Sequence, residues 1–127
     1  MQFPIQLNIP EGAYTIDGYG TDGFTVAGNV IAGHILISSK GHAAEADFPD
    51  FSIMTAESFA SVFALVPRPN LLLFGTGATH RFVPPSIRQY FKQQGMGFET
   101  MDSGAAVRTY NILLAEGREV AALVIKP

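Results

Sequence analysis

The sequence predicts an α/β fold in which helices lie against a parallel or mostly parallel sheet, with a small antiparallel β unit attached at its edge or end. Three observations predict it. Short β-type runs separated by glycine fill Tyr14 to Ser38, and from Thr55 onward strands alternate with helices. The order in that second stretch reads βαβαβ, a succession whose crossovers lay strands side by side under covering helices. At 127 residues, 47% hydrophobic and 15% charged, the chain reads as one domain over 1–127. Such a unit completes its core without a disulfide or structural metal.

The elements follow in order. The N-terminal runs are Tyr14 to Asp17, Phe24 to Ala27, Val30 to Ala32 and His34 to Ser38. Gly28-Asn29 supplies two residues tolerant of positive φ between Thr25-Val26-Ala27 and Val30-Ile31, which is a two-residue hairpin signal. Thr55 is a helix N-cap with Glu57 in the first turn, and Phe59, Val62, Phe63 and Val66 keep helical spacing until Pro67 ends it. Leu71 to Phe74 is a continuous apolar run and reads as a strand covered on both faces. Pro84-Pro85 opens a helix carrying Ile87, Tyr90, Phe91 and Gln94, and Gly95 gives its left-handed exit. Gly97 to Met101 is a short strand. Asp102 or Ser103 caps a helix through Ala106, Tyr110, Leu113 and Leu114 to Gly117, after which Val120 to Ile125 is a last buried strand.

Composition excludes several chemistries. The absence of cysteine removes a disulfide framework, a thiolate nucleophile and a thiolate zinc site. The apolar runs fall far short of the roughly 20 residues that span a bilayer, so no membrane insertion is expected. Met1 to Pro10 lacks the basic flank and apolar stretch of a secretion signal, and the expected location is the cytoplasm. Charge is uneven: residues 1–66 carry seven acids against Lys40 alone, while Arg68, Arg81, Arg88 and Lys92 enclose a stretch without an acid. That distribution suits an anionic ligand or an acidic partner on one face, or simply a solvated surface. The pI of 5.5 argues against nucleic acid.

Gly18-Tyr19-Gly20-Thr21-Asp22-Gly23 matches the G-x-G-x-x-G dinucleotide pattern in letters. The pattern works only when a helix N-terminus follows to receive the pyrophosphate, and here a strand follows, so the glycines read as turn residues. Gly75-Thr76-Gly77 is better placed, directly after a buried strand, where open α/β sheets hold their ligands. Glu99 and Asp102 stand where a ribose-binding acid would. The third glycine is missing, however, and the next helix begins only at Pro84, so a tight, close-packed loop is the simpler reading. Asp102, Ser103, Arg108, Thr109 and Asn111 gather polar groups around the following helix start. Arg108 and Asn111 share a helix side, able to address one partner or brace one loop. His34, His42 and His80 are scattered without metal-binding spacing, no G-x-S-x-G elbow exists, and Ser38-Ser39-Lys40 is too common a string to propose a serine-lysine pair. No catalytic residue, metal or cofactor is therefore predicted. The candidate ligand-binding set is Gly75, Thr76, Gly77, Arg81, Asp102 and Arg108.

The strings Gly75-Thr76-Gly77, Val83-Pro84-Pro85-Ser86-Ile87-Arg88 and above all the run from Met101-Asp102-Ser103-Gly104 through Arg108-Thr109-Tyr110-Asn111 to Gly117-Arg118 carry a resemblance. They resemble a small domain-of-unknown-function family, the Mth-like domains. That family includes the mitochondrial respiratory complex I assembly factor 3 and the adipogenesis-associated Mth-like protein. Ile16-Asp17-Gly18-Tyr19-Gly20 and Phe24 with the following hairpin also fit, so the resemblance covers almost the whole chain. It implies a three-layer α/β/α domain with a central mixed sheet and an additional N-terminal β-hairpin unit. Members often carry a cysteine where this chain has Val107, so thiol chemistry proposed for the family cannot operate here.

Two functions compete. A non-catalytic protein-interaction or assembly-type module is favoured by the missing chemical constellation, the charge asymmetry and the resemblance to an assembly factor. Its protein partner is unidentified and its relation to respiratory complex assembly is an implication of the resemblance. The alternative is a small anionic-ligand-binding domain, or an unrecognised enzyme, with its pocket between the Gly75-Thr76-Gly77 loop and the helix starting near Asp102. Oligomeric state stays open, since the edge of the N-terminal hairpin can pair between chains.

Overall fold

The computed structural model describes residues 12–127; Met1 to Pro10, read above as lacking a secretion signal, lies outside them. Strands β1 (Gly18–Gly20), β2 (Gly23–Val26) and β3 (Asn29–Ile31) form a small antiparallel sheet. Strands β4 (His34–Ser38), β5 (Ala43–Ala46), β6 (Leu71–Gly75), β7 (Gly97–Met101) and β8 (Val120–Val124) form a mixed sheet in the order β5-β4-β8-β6-β7. β6 runs parallel to both β7 and β8, whereas β4 is antiparallel to β8 and to β5. The helices are the short α1 (Ala60–Phe63), entered through a 3₁₀ turn at Ala56–Phe59, then α2 (Pro85–Gln93) and α3 (Ser103–Ala115).

The central strands are apolar at successive positions because both their faces are covered. Side chains alternate along a strand, so Leu73, Val120, Ala122, Val124, Ile35 and Ile37 meet Ala106, Val107, Tyr110 and Leu114 of α3. Phe24 and Val26 of the small sheet join that same core. Leu72, Phe74, Ala121, Leu123 and Leu36 point the other way, to Phe59, Val62, Ile87 and Phe91. Helices α2 and α3 therefore cover opposite faces, giving the three layers and mixed sheet expected.

Several local expectations need correction. His34–Ser38 does not belong to the N-terminal unit: it is β4 of the large sheet, between β8 and β5. Tyr14 to Asp17 is not a strand. The segment is instead fastened to α3 by Asn111, whose Nδ2 donates to the Ile16 carbonyl and whose Oδ1 accepts the Ile16 N–H, both at 2.9 Å. The hairpin turn lies one residue earlier than expected, at Ala27 and Gly28 (φ 51° and 80°), because Val26 pairs with Asn29. That register keeps both Phe24 and Val26 on the buried face. Gly23 follows the β1–β2 turn at φ 126°, where a Cβ would lie 2.1 Å from the Ile31 carbonyl oxygen. Its glycine is thus required by backbone approach rather than by a ligand. The helix expected from Thr55 to Val66 is 3₁₀ over Ala56–Phe59 and α-helical only over Ala60–Phe63, and Val66 is 93% exposed instead of buried.

Tyr110 is buried in the α3 core, and its hydroxyl finds no hydrogen-bond partner among the described residues. Burial drives its pKa far upward, so it stays neutral. An unpaired buried hydroxyl is unfavourable. Tyr110→Phe is accordingly expected to leave stability unchanged or raise it by about 1 kcal/mol, read by chemical denaturation. A loss of similar size would show that the hydroxyl is hydrogen-bonded in solution.

Candidate functional site

The crossover through α2 leaves β6 toward one face of the sheet, and that through α3 leaves β7 toward the other. The loops after β6 and β7 consequently diverge from neighbouring strand ends, the position where α/β sheets present a crevice. Here the rim is stitched shut. Gly75 packs where a Cβ would come within 2.9 Å of both the Ala106 Cβ and the Val124 Cγ1, and 3.0 Å of the Ser103 Cα. Thr76 is fully buried. Its N–H donates to the Met101 carbonyl at 2.8 Å, its hydroxyl donates to the Thr79 carbonyl at 2.8 Å, and the same oxygen accepts the Arg81 N–H at 2.9 Å. The Gly77 N–H donates to the Ser103 hydroxyl at 2.8 Å, the Gly77 carbonyl accepts the Ser103 N–H at 2.8 Å, and the Ser103 hydroxyl donates to the Ile125 carbonyl.

Gly75, Thr76, Gly77 and Asp102 thus meet at one rim, as their positions in the chain imply. The loop and the α3 start are bonded directly to each other rather than standing apart as pocket walls. The Thr76 and Gly77 amides, which an anion would need, are engaged inside the protein. Asp102 caps α3, its Oδ1 accepting the Ala105 N–H at 2.9 Å. The Arg81 guanidinium turns away and stacks on Phe51, 3.9 Å from the ring centroid. Arg108 lies elsewhere, near the Tyr19 hydroxyl above Gly104, while Asn111 holds Ile16; this side of α3 braces the N-terminal segment. Sequence reasoning missed Ser103 as the residue joining three chain segments. A buried serine at a helix start carries no distinctive pattern.

Beyond the stitches, the rim presents a tip. Phe82 is 77% exposed, although Val83 beside it is buried and the Arg81 N–H is tied to Thr76. His80 Nε2 lies 2.9 Å from the Thr100 hydroxyl, and an Arg88 guanidinium nitrogen donates to that same oxygen at 2.8 Å. Arg88 also lies over Phe98, 5.7 Å from its centroid. The salt bridge found among the described residues is Lys40 to Glu119, at 3.4 Å and remote from this tip in the chain.

A cleft of about 730 Å³ is lined by His34, Glu45, Asp47, Phe48, Glu57 and Lys126, among others. His34 Nδ1 accepts the Lys126 N–H at 2.9 Å. Burial, followed by the Lys126 charge, lowers its pKa below the ordinary histidine value, with Asp47 and Glu45 partly opposing. The unfolded chain therefore takes up this proton first, and stability falls as pH drops through about 6.5. Thermal midpoints between about pH 5 and 8 are expected to fall more steeply toward acid in the native chain than in His34→Gln; superimposable profiles would contradict it.

A mixed sheet with a helix on each face and an added N-terminal antiparallel sheet defines a class of small three-layer α/β domain. The chain belongs to the family described as "Protein of unknown function (DUF498/DUF598)", whose model matches residues 16–125. An uncharacterized protein of Rhodobacter capsulatus is 35% identical over 114 residues, covering 90% of this chain and 86% of that protein. NADH dehydrogenase (ubiquinone) 1 alpha subcomplex assembly factor 3 of Mus musculus is 35% identical over 74 residues, covering 58% of this chain and 40% of the factor. The match therefore spans two-fifths of the assembly factor's length. Among solved structures, a Bordetella parapertussis protein superposes with TM-score 0.81 at 30% identity, covering 91% of this chain and 97% of that one. A Bordetella pertussis protein described as a Mth938-like domain superposes with TM-score 0.76 at 25% identity, covering 97% and 92%. No described helix is long and apolar enough to cross a membrane.

Proposed function

We propose that this chain is a non-catalytic protein-interaction module of the assembly type, acting in the cytoplasm on a protein partner. The observation that carries this reading is the use of polar groups at the rim. Thr76, Gly77, Ser103 and Asp102 hold one another and the neighbouring backbone, and the loop so fixed displays an aromatic ring outward, with Arg88 of α2 held nearby at Thr100. A site built for turnover keeps donors and titratable groups available to a substrate; here the same groups serve rigidity. The match to assembly factor 3 of respiratory complex I supports an assembly role of the same kind, through resemblance over part of that protein.

The test is quantitative co-purification of the tagged full chain from its native cells, compared with Phe82→Ser. Reproducible partners that are depleted by the substitution, at unchanged thermal midpoint, support the reading. Repeated recovery of nothing specific overturns it.

A further inference from the structure

We infer that the tip formed by His80, Phe82 and Arg88 docks an acidic segment of the protein partner, with an apolar side chain of that segment seated on Phe82 and its carboxylates on Arg88 and His80. This rests on the interaction reading above and names the partner's chemistry and the surface that takes it.

Display comes first. Exposed aromatic rings on a loose loop are unremarkable, but Phe82 is held on both sides: Val83 is buried in the α2 core, and the Arg81 N–H is fixed to the Thr76 hydroxyl. A pre-positioned ring loses little freedom on binding, which is what makes aromatic residues effective anchors.

Charge comes second. Residues 58–98 contain no Asp or Glu, so nothing within this stretch neutralises Arg88. The loop and α2 bring His80 and Arg88 onto one hydroxyl, that of Thr100 on the edge strand β7. Arg88 uses one of its five N–H donors there, which leaves a fork open to an incoming carboxylate. The acid next in sequence is Glu99, which alternates with Phe98 and Thr100 along β7 and so points to the other face. Asp50, beside Arg81 rather than Arg88, has its carboxyl held below its usual range chiefly by the Ser52 backbone N–H and side chain, with Arg81 adding a smaller effect. Exposed ion pairs contribute little each. The apolar contact therefore supplies affinity, while Arg88 selects an acidic partner and speeds encounter.

A phosphate backbone fits less well. The chain is acidic overall, with net charge −3, and Glu45, Asp47 and Glu57 line the cleft that also holds His34. An extended polyanion would meet that repulsion, whereas a short acidic segment of a protein need not.

The experiment places the photo-crosslinking residue benzoylphenylalanine at position 82 of the full chain in its native cells, and separately at Ile112, which is 58% exposed on α3. Cross-linked peptides are then sequenced. The expected result is capture at position 82 of a protein segment rich in Asp and Glu, with yield falling about tenfold when Arg88→Glu and His80→Glu are added and unaffected by Arg118→Glu. Thermal midpoints confirm that each variant folds. The inference is overturned by capture of neutral or basic segments, nucleic acid, lipid or a second copy of this chain, by a yield indifferent to the charge reversal, or by no capture at position 82. Capture at position 112 with none at 82 removes this docking site and leaves the interaction reading standing. Silence at both removes both.

Discussion

Replacing Phe59 by alanine is expected to cost the folded state about 3–5 kcal/mol, seen as a lower denaturant midpoint with little change in slope. Phe59 is the link between the short α1 segment and the sheet. Its ring lies 5.3 Å from Phe48, 5.0 Å from Phe74, 5.3 Å from Phe91 and 5.8 Å from Phe98, centroid to centroid, each in edge-to-face geometry. Such pairs add to the burial of the ring itself. The 3₁₀ turn that carries Phe59 ends in a helix of only four residues, too short to be stable alone, so this segment depends on its side-chain packing. Truncation also loosens Phe98, the ring over which Arg88 is held. A loss below about 1.5 kcal/mol would mean that neighbouring rings collapse into the vacated space.

Ser103→Ala is expected to destabilise by about 2–4 kcal/mol, because removing one hydroxyl leaves the Gly77 N–H and the Ile125 carbonyl buried without their partner. Both groups belong to the rim, so the consequence reaches beyond stability. Amide hydrogen exchange at Gly77 is expected to accelerate more than exchange in the centre of β6, and Phe82 should gain mobility. Ser103→Cys keeps the volume and a weak donor and should fall between the two. Unchanged exchange at Gly77 would show that its bond to Ser103 is not what holds the loop.

Much of this architecture is legible in the chain because punctuation and periodicity agree there. Pro84-Pro85 and Gly95 bracket α2, while Asp102 and Gly117 bracket α3. The apolar runs at Leu71 and Val120 become strands buried on both faces. What escaped notice depends on long-range pairing. Ala43–Ala46 has the composition of a helix and is a strand because β4 pairs with it. β4 itself joins a partner more than 80 residues later, an association that no local pattern announces. Val66 keeps helical spacing with Val62, but the helix ends before reaching it. At the rim, the glycine loop and Asp102 were legible as neighbours. The direction of Arg81 and Arg108 was not, since a flexible side chain chooses its contact from what the fold brings near, here the Phe51 ring and the region of Tyr19.

The middle strand of the five, β8, is also the latest of them to be synthesised. A ribosome-bound chain that has not yet emitted Val120 to Val124 lacks the strand that pairs with both β4 and β6 and so joins the β4–β5 hairpin to the β6–β7 pair. Completion of the sheet is thus expected to wait for that strand. Nascent chains stalled before it are the species that chaperones should engage, and protease resistance should appear abruptly once that stretch clears the exit tunnel.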